Sequence, residues 1–366
     1  MYLELSDEQQ FLVEAAAGAL ARKDTLGAAR EALDGAPRAD LWPLACEAGW
    51  PGLLSSEEVD GTELGAYEAM LVLEACGARL ADARMLGHLP AVALLELACF
   101  DDLKLRRRLA TGEARAALVD PAGVGGGVTA LAVVSGELVL DGSADYVIDA
   151  DGADVLVVVA STGEGEVAAV IDAGAPGVVV EAQPCYDGTR ALAKVRLDGV
   201  KGRALELDDD PRVGRELQRV LLAAESVGAG EACLTMARDY AVDRQAFGGS
   251  IGSYQAIKHK LVEVLRRVEN GRSLLVAAGR AWGADAEEFS LSANAARVIA
   301  TDALDFAAPE NIFIHGGIGA TWEHDAQLYY RRAEVSRRLA GGASAAADAV
   351  AAALLAGELK RRLEAV

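Results

Sequence analysis

Aromatic residues are scarce in this sequence, and alanine supplies much of its apolar content. Only 5% of the 366 residues are Phe, Trp or Tyr, although 52% are hydrophobic. A chain of this length can bury a sizeable core in two or three layers. The composition is more typical of closely packed helices than of a sandwich rich in β-branched side chains.

Positive charge is also in short supply. The chain has 56 acidic and 35 basic residues, which gives a net charge of −21 at pH 7. Proteins that bind nucleic acid or anionic membranes take much of their affinity from basic surfaces, so neither partner is expected. An anionic cofactor would need locally gathered cations or helix N-termini.

Paired cysteines and long apolar runs are missing, and no leader peptide is expected. The five cysteines are scattered without a C-x-x-C pair, which predicts reduced intracellular thiols and no metal site. The first eight residues are acidic, unlike a signal or transit peptide. No run of about 18 apolar residues is free of charge or glycine, so we expect no membrane span and a cytoplasmic protein.

The hydrophobic pattern of the sequence changes near residue 116, which separates a first region from a second. Residues 1–115 are expected to be helical, and Ser6 with Gln9 predicts a capping box at the first helix. Residues 116–208 carry short apolar runs separated by Gly, Asp and Pro, which favours an antiparallel sheet or small barrel. These runs lie near residues 131–134, 138–140, 155–159, 167–171, 178–180 and 192–197.

The helical period returns in the third region, residues 209–366. Long segments joined by short loops predict a helical bundle, with helices near residues 213–244, 254–284, 290–308 and 345–363. The predicted fold class is therefore α+β and mainly α, in three consecutive domains.

Two ordered motifs lie in this third region. The first is Arg244-Gln245-Ala246-Phe247-Gly248 with Tyr254-Gln255, and the second is His315-Gly316-Gly317-Ile318-Gly319 with Trp322-Glu323-His324-Asp325. With these motifs the chain resembles the acyl-CoA dehydrogenase family over nearly its whole length. The resemblance implies an N-terminal helical domain, a central antiparallel β domain and a C-terminal four-helix bundle.

The resemblance also implies a flavin, FAD, and the chemistry of the motifs suits one. Arg244 can bind two pyrophosphate oxygens at once, Phe247 offers an apolar face, and Gln255 can hydrogen-bond a ribose or base. The three glycines Gly316, Gly317 and Gly319 let the backbone approach a ligand. In the family these elements reach across a subunit interface to the neighbour's flavin.

The glutamate that removes the substrate α-proton in the family is missing from both of its usual positions. Ala340 stands at the late position, and Gln218, beside Arg219, stands at the early one. Neither an alanine nor a neutral amide can take an α-proton near neutral pH. We therefore predict no catalytic residue in this chain.

The side of the site that holds the flavin ring departs from the family pattern too. Ile148 stands where the family has a hydroxyl donor, and Val119 to Gly125 replaces its flavin-contacting loop. Phe313 stands where a glutamine often precedes the second motif. Glu225 is either a buried structural carboxylate or a displaced base, and Glu216 is expected to face away from the site.

Three hypotheses follow from these observations. In the first, the chain is a non-catalytic subunit of an α2β2 heterotetramer, resembling those of actinobacterial steroid side-chain degradation. A homologous catalytic subunit, an acyl-CoA substrate and an electron-transfer flavoprotein are then the expected partners. In the second, it is a self-sufficient homotetrameric FAD enzyme with a relocated base. In the third, it is a non-enzymatic scaffold or acyl-CoA-binding protein of the same fold.

Overall fold

The computed structural model describes residues 4–122, 125–132, 136–208 and 210–357, and within these ranges lie eleven α-helices and nine strands. Helices occupy the chain up to Ala110, strands occupy it from Ala116 to Ala204, and helices follow from Arg212. The fold class is thus α+β and mainly α, as predicted.

The first region consists of six helices: α1 (Asp7–Ala21), α2 (Thr25–Leu33), α3 (Trp42–Glu47), α4 (Ala66–Ala78), α5 (Met85–Leu97) and α6 (Leu103–Ala110). The predicted capping box is confirmed, because Ser6 Oγ accepts from the N–H of Gln9 and Gln9 Oε1 accepts from the N–H of Ser6. Helix α5 has a proline, Pro90, in its interior.

The second region is one sheet of seven strands: β1 (Ala116–Val119), β2 (Gly126–Ala132), β3 (Glu137–Ile148), β4 (Val155–Ser161), β5 (Glu166–Asp172), β6 (Val178–Gln183) and β7 (Leu192–Ala204). Most neighbours are antiparallel, as predicted, but β1 and one residue of β2 pair with β4 in parallel. The β2–β3 hairpin lies between β1 and β4 in the chain and gives the room that a parallel return requires.

The sheet is buried on both faces where it meets the first region. Along β4, Leu156 and Val158 pack into the core of the sheet, while Val155 and Val157 pack against α5 and α6. This packing fixes the end of β3, and therefore Ile148, against the helices.

The third region contains α7 (Arg212–Asp243), α8 (Gln255–Ala281), α9 (Ala286–His315), α10 (Ala326–Ser336) and α11 (Gly342–Leu355). A two-stranded hairpin, β8 (Gln245–Ala246) with β9 (Gly249–Ser250), follows α7. The pattern did not predict α10, which is only 11 residues long. Residues 358–363 of the last predicted helix lie outside the described residues.

Helix α7 is the central helix of the molecule. It packs so closely on α4 that a Cβ on Gly228 would overlap the carbonyl of Glu74. Within the described residues α7 is long and apolar enough to cross a membrane, and the bent α10–α11 pair would pass the same test as one span. However, 72% of the apolar window of α7 is buried inside the molecule, so packing accounts for its composition.

Candidate functional site

The first motif forms a tight hairpin that presents Phe247 to solvent. Phe247 and Gly248 occupy its turn with φ of 53° and 90°, a left-handed geometry that is unfavourable for a bulky side chain. The hydroxyl of Tyr254 donates to the carbonyl of Ala246 at 2.9 Å and braces the turn. The Phe247 side chain is 99% exposed, so the fold holds a strained backbone without burying the ring.

Arg244 and Gln255 flank this hairpin. Arg244 ends α7 and Gln255 begins α8, and both are exposed. Neither side chain forms a hydrogen bond or ion pair with the described residues. A free guanidinium and a free amide are thus available on one surface.

The glycines of the second motif differ in what the fold requires of them. Gly316 has φ of 66° and ends α9, and a Cβ on Gly319 would lie 2.7 Å from the carbonyl oxygen of Ile312. Both therefore have local structural reasons to be glycine. A Cβ on Gly317 would meet nothing within 4 Å, so its backbone is open to an approaching ligand.

The two motifs meet at one end of the helical bundle. The Tyr240 ring, one turn before Arg244, packs on the His315 ring with centroids 4.4 Å apart. A small core of Ala237, Ala241 and Ile314 joins the ends of α7 and α9. The six predicted cofactor residues thus lie on connected elements, and five of the six are exposed.

A separate cavity of about 790 Å³ opens between the sheet and the third region. Its walls come from Tyr146 and Tyr186 on one side and from α9, α10 and the start of α11 on the other. None of the six predicted cofactor residues is among its described lining residues. The chain therefore carries two separate features, the exposed surface of Arg244, Phe247, Gln255 and Gly317 and this cleft.

Of the two positions where a base was sought, Ala340 lies beside this cleft, between the lining residues Leu339 and Gly341. Arg219, the neighbour of Gln218, donates from Nε to the carbonyl of Ala340 at 2.9 Å. Ala340 itself has φ of 52° and is mostly buried. Neither an alanine side chain nor a neutral amide can accept an α-proton.

Gln218 has a hydrogen-bond partner that explains why an amide stands at this position. Its Nε2 donates to the carbonyl of Leu86 at 3.0 Å. Within α5 that carbonyl would normally accept from residue 90, but Pro90 has no N–H. The Gln218 amide thus satisfies a carbonyl that the proline leaves open, which a glutamate carboxylate could not do.

The other carboxylates that were considered as bases are already engaged. Glu225 is almost fully buried and pairs with Arg190 and Arg332, the latter at 2.7 Å. Glu216 faces α9 and accepts from the Ser290 hydroxyl at 2.5 Å. Burial raises the pKa of Glu216, but neither carboxylate lies among the residues that line the cleft.

A buried arginine that the sequence pattern did not single out holds the loop of Ala340 in place. Arg297 on α9 is completely buried and donates to the carbonyls of Ser336 and Leu339. Burial and the nearby charge of Arg219 lower the pKa of Arg297 to about 10. Arg219 and Arg297 thus fix a loop that carries no carboxylate.

The ring side of a flavin site is poorly equipped in this chain. Ile148 is buried, and its side chain has no hydrogen-bonding group. The neighbouring Asp149 accepts from the N–H of Gly87 at 2.9 Å, and burial, with the nearby Asp82, raises its pKa to about 7. The residues therefore fit the nucleotide end of FAD better than its ring. Within the described residues, no three His, Cys, Asp or Glu side chains group closely enough for a metal ion.

Comparison with known proteins identifies the fold and the relatives. The family model "Acyl-CoA dehydrogenase, C-terminal domain" matches residues 215–355. The acyl-CoA dehydrogenase IpdE2 of Mycobacterium tuberculosis is 33% identical over 339 residues, which are 91% of this chain and 93% of that protein.

Two solved structures share the whole fold. One is the ChsE4–ChsE5 complex from Mycobacterium tuberculosis, with a TM-score of 0.87, 25% identity and coverage of 97% of this chain and 99% of that one. The other, the Tcur3481–Tcur3483 steroid ACAD, has a TM-score of 0.86 at 23% identity, with coverage of 96% and 99%, and so shows the fold alone. From its relatives, its motifs and its fold, this chain belongs to the acyl-CoA dehydrogenase family.

Proposed function

We propose that this chain is the non-catalytic subunit of a flavin-dependent acyl-CoA dehydrogenase that completes the FAD site of a homologous catalytic partner. One observation carries the proposal. The exposed surface of Arg244, Phe247, Gln255 and Gly317 lies apart from the chain's own cleft, and the two usual base positions hold Gln218 and Ala340.

The surface at the end of the bundle suits the nucleotide half of FAD. Arg244 would bind two pyrophosphate oxygens, Gln255 would hydrogen-bond the ribose or base, and Gly317 would offer its N–H to a phosphate oxygen. Phe247 would cover an apolar face of the cofactor. When bound, FAD supplies the acceptor for the hydride from the substrate β-carbon.

Proton removal then belongs to the partner subunit. Glu225 is held by two arginines and Glu216 faces α9. The two carboxylates among the described residues that line the cleft, Asp305 and Glu334, both pair with Arg337, Glu334 at 2.8 Å. The relatives support a heteromeric assembly, because the ChsE4–ChsE5 structure is a complex of two different chains. An α2β2 heterotetramer is accordingly the proposed form.

The substrate and the electron acceptor are further parts of the proposal. An acyl-CoA thioester with a bulky steroid side-chain acyl group is the proposed substrate, since the steroid ACAD named above shares the fold. An electron-transfer flavoprotein is the proposed acceptor, and the cytoplasm is the proposed location.

The proposal is tested by comparing the chain alone with the chain co-expressed with a homologous subunit that carries the glutamate. We expect the lone chain to lack stoichiometric flavin and turnover, and the complex to show both. Visible absorbance gives the flavin content and acyl-CoA oxidation gives the turnover. Flavin and turnover in the lone chain would support a homotetrameric enzyme instead, and a stable complex without flavin would support a scaffold.

A further inference from the structure

Two histidine rings lie against each other where the chain passes from α9 to α10. His315 is the last residue of α9, and His324 lies two residues before the start of α10. Their ring centroids are 4.2 Å apart. His315 is buried, and Tyr240 of α7 packs on it as well. Two imidazoles this close cannot both be charged without repulsion.

Hydrogen bonds fix which nitrogen of each ring carries the proton. His315 Nδ1 lies 2.8 Å from the carbonyl oxygen of Asn311, and because a carbonyl can only accept, this nitrogen donates. The N–H of Ala326 donates to His324 Nδ1 at 3.1 Å, so this nitrogen carries no proton. An added proton therefore affects the two rings differently. His315 would take it at Nε2 and keep its hydrogen bond, whereas His324 would take it at Nδ1 and lose the bond to Ala326.

The hydrogen bond that His324 would lose holds the start of α10. Ala326 is fully buried and is the first residue of this helix. Asp325, at the N-cap position, makes no capping hydrogen bond with its side chain and pairs with Arg30 of α2 instead. A proton on His324 Nδ1 would thus place a second N–H against that of Ala326, at the positive end of the helix dipole.

The groups that face His324 favour its neutral form. Burial and the neighbouring His315 lower the pKa of His324, and Arg30 acts in the same direction, while Asp325 opposes them. Tyr240, which packs on His315, brings no charge. The closed arrangement is therefore most stable above about pH 6.5, the usual pKa of histidine, and loses stability as the pH falls below that value.

We infer that the His315–His324 pair is a pH-sensitive switch, which releases the loop of residues 316–325 from the start of α10 when His324 takes up a proton. The opening itself requires neither flavin nor a partner. Because the loop contains Gly317, opening would also displace that backbone, and this consequence alone rests on the proposed function.

The test is amide hydrogen exchange of the whole chain at about pH 7.5 and pH 5.5, with each rate divided by the intrinsic rate at that pH. We expect the protection of residues 316–326 to fall about tenfold at the lower pH, the ratio for uptake of one proton by a histidine of usual pKa. His324→Asn keeps an oxygen that can accept from Ala326 but takes up no proton, so its protection should be equal at both pH values. His259→Asn, at an exposed histidine of α8, is the matched control and should respond as the wild type does.

Three results would overturn the inference. Equal protection of residues 316–326 at both pH values in the wild type, a measurement that needs no variant, would show that the pair does not respond to acid. A pH response that persists in His324→Asn would belong to another group, and an equal loss of protection in α4 would show that acid unfolds the whole chain. None of these results depends on flavin, so failure of the proposed function leaves the outcome of this test unchanged.

Discussion

Gln218 and Ala340, at the two usual base positions, have different structural roles in this chain. The Gln218 amide acts as a hydrogen-bond donor to Leu86, a task that requires an N–H group. Ala340 contributes its backbone, since its carbonyl accepts from Arg219. Each position therefore supports the architecture around the cleft, and neither retains a group for proton transfer.

Asp149 is a buried carboxylate whose ionisation works against folding. Because its pKa is raised from 3.8 to about 7, the folded chain keeps a proton that the unfolded chain releases between these values. The free energy of unfolding is therefore not reduced by Asp149 at low pH, where the carboxyl is protonated in both states. It falls as the pH rises from about 4 to about 7. Asp149→Asn keeps an acceptor for the N–H of Gly87. We predict that its effect on the free energy of unfolding is more stabilising at pH 8 than at pH 4, by about 2–4 kcal/mol.

Urea unfolding at the two pH values measures this difference. Asp141→Asn is the matched control, because Asp141 lies on β3, is exposed and also accepts one backbone N–H, from Gly199 at 2.7 Å. The control measures what the loss of one exposed carboxylate does to the unfolding free energy at each pH. A pH-independent effect of Asp149→Asn would contradict the account of this residue.

Helix α5 depends on α7 for one of its own backbone hydrogen bonds. Pro90 cannot donate to the carbonyl of Leu86, and Gln218 does so from α7. We predict that Gln218→Ala costs about 1–3 kcal/mol, because a buried carbonyl is left without a donor. In a Pro90→Ala background the restored N–H of residue 90 should reduce that cost by about 1 kcal/mol.

A double-mutant cycle of unfolding free energies measures this coupling between Pro90 and Gln218. If the two single effects simply add, the Gln218 amide is not compensating for the proline. The early base position would then have no structural account in this chain.

The hydrophobic pattern predicted most helices and strands but not how they pair. The long helices α7, α8 and α9 have enough turns for the helical period to show. Helix α10 was missed because it has only 11 residues, which leaves few turns over which the helical period can show. The parallel pairing of β1 with β4 was missed because strand direction follows from the intervening β2–β3 hairpin.

The residues of the candidate site likewise fall into two groups, those that the sequence could single out and those whose contacts it could not predict. Arg244, Phe247, Gln255 and the glycines stand in two short continuous motifs, so the sequence alone could single them out. The partners of Gln218, Ala340 and Glu225 could not be predicted, since Gln218 and Leu86 are 132 residues apart and Arg219 and Ala340 are 121 apart. Contacts of this range follow from tertiary packing and leave no local pattern.

The whole molecule combines the exposed surface of Arg244, Phe247, Gln255 and Gly317, proposed to bind the partner's FAD, with a separate cleft beside Ala340. The most direct test of this account is the flavin content of the complex between this chain and its homologous catalytic subunit, with Arg244→Ala placed in this chain alone. Arg238→Ala is the matched control, because Arg238 is an exposed arginine on the same helix and pairs only with Asp239 among the described residues.

We predict that Arg244→Ala weakens the affinity of the complex for flavin about 10- to 100-fold, the size of a lost charged hydrogen-bond pair. The complex itself should still assemble. Arg238→Ala should retain flavin as the wild type does. Full flavin content in the Arg244→Ala complex would contradict the claim that this chain completes its partner's FAD site.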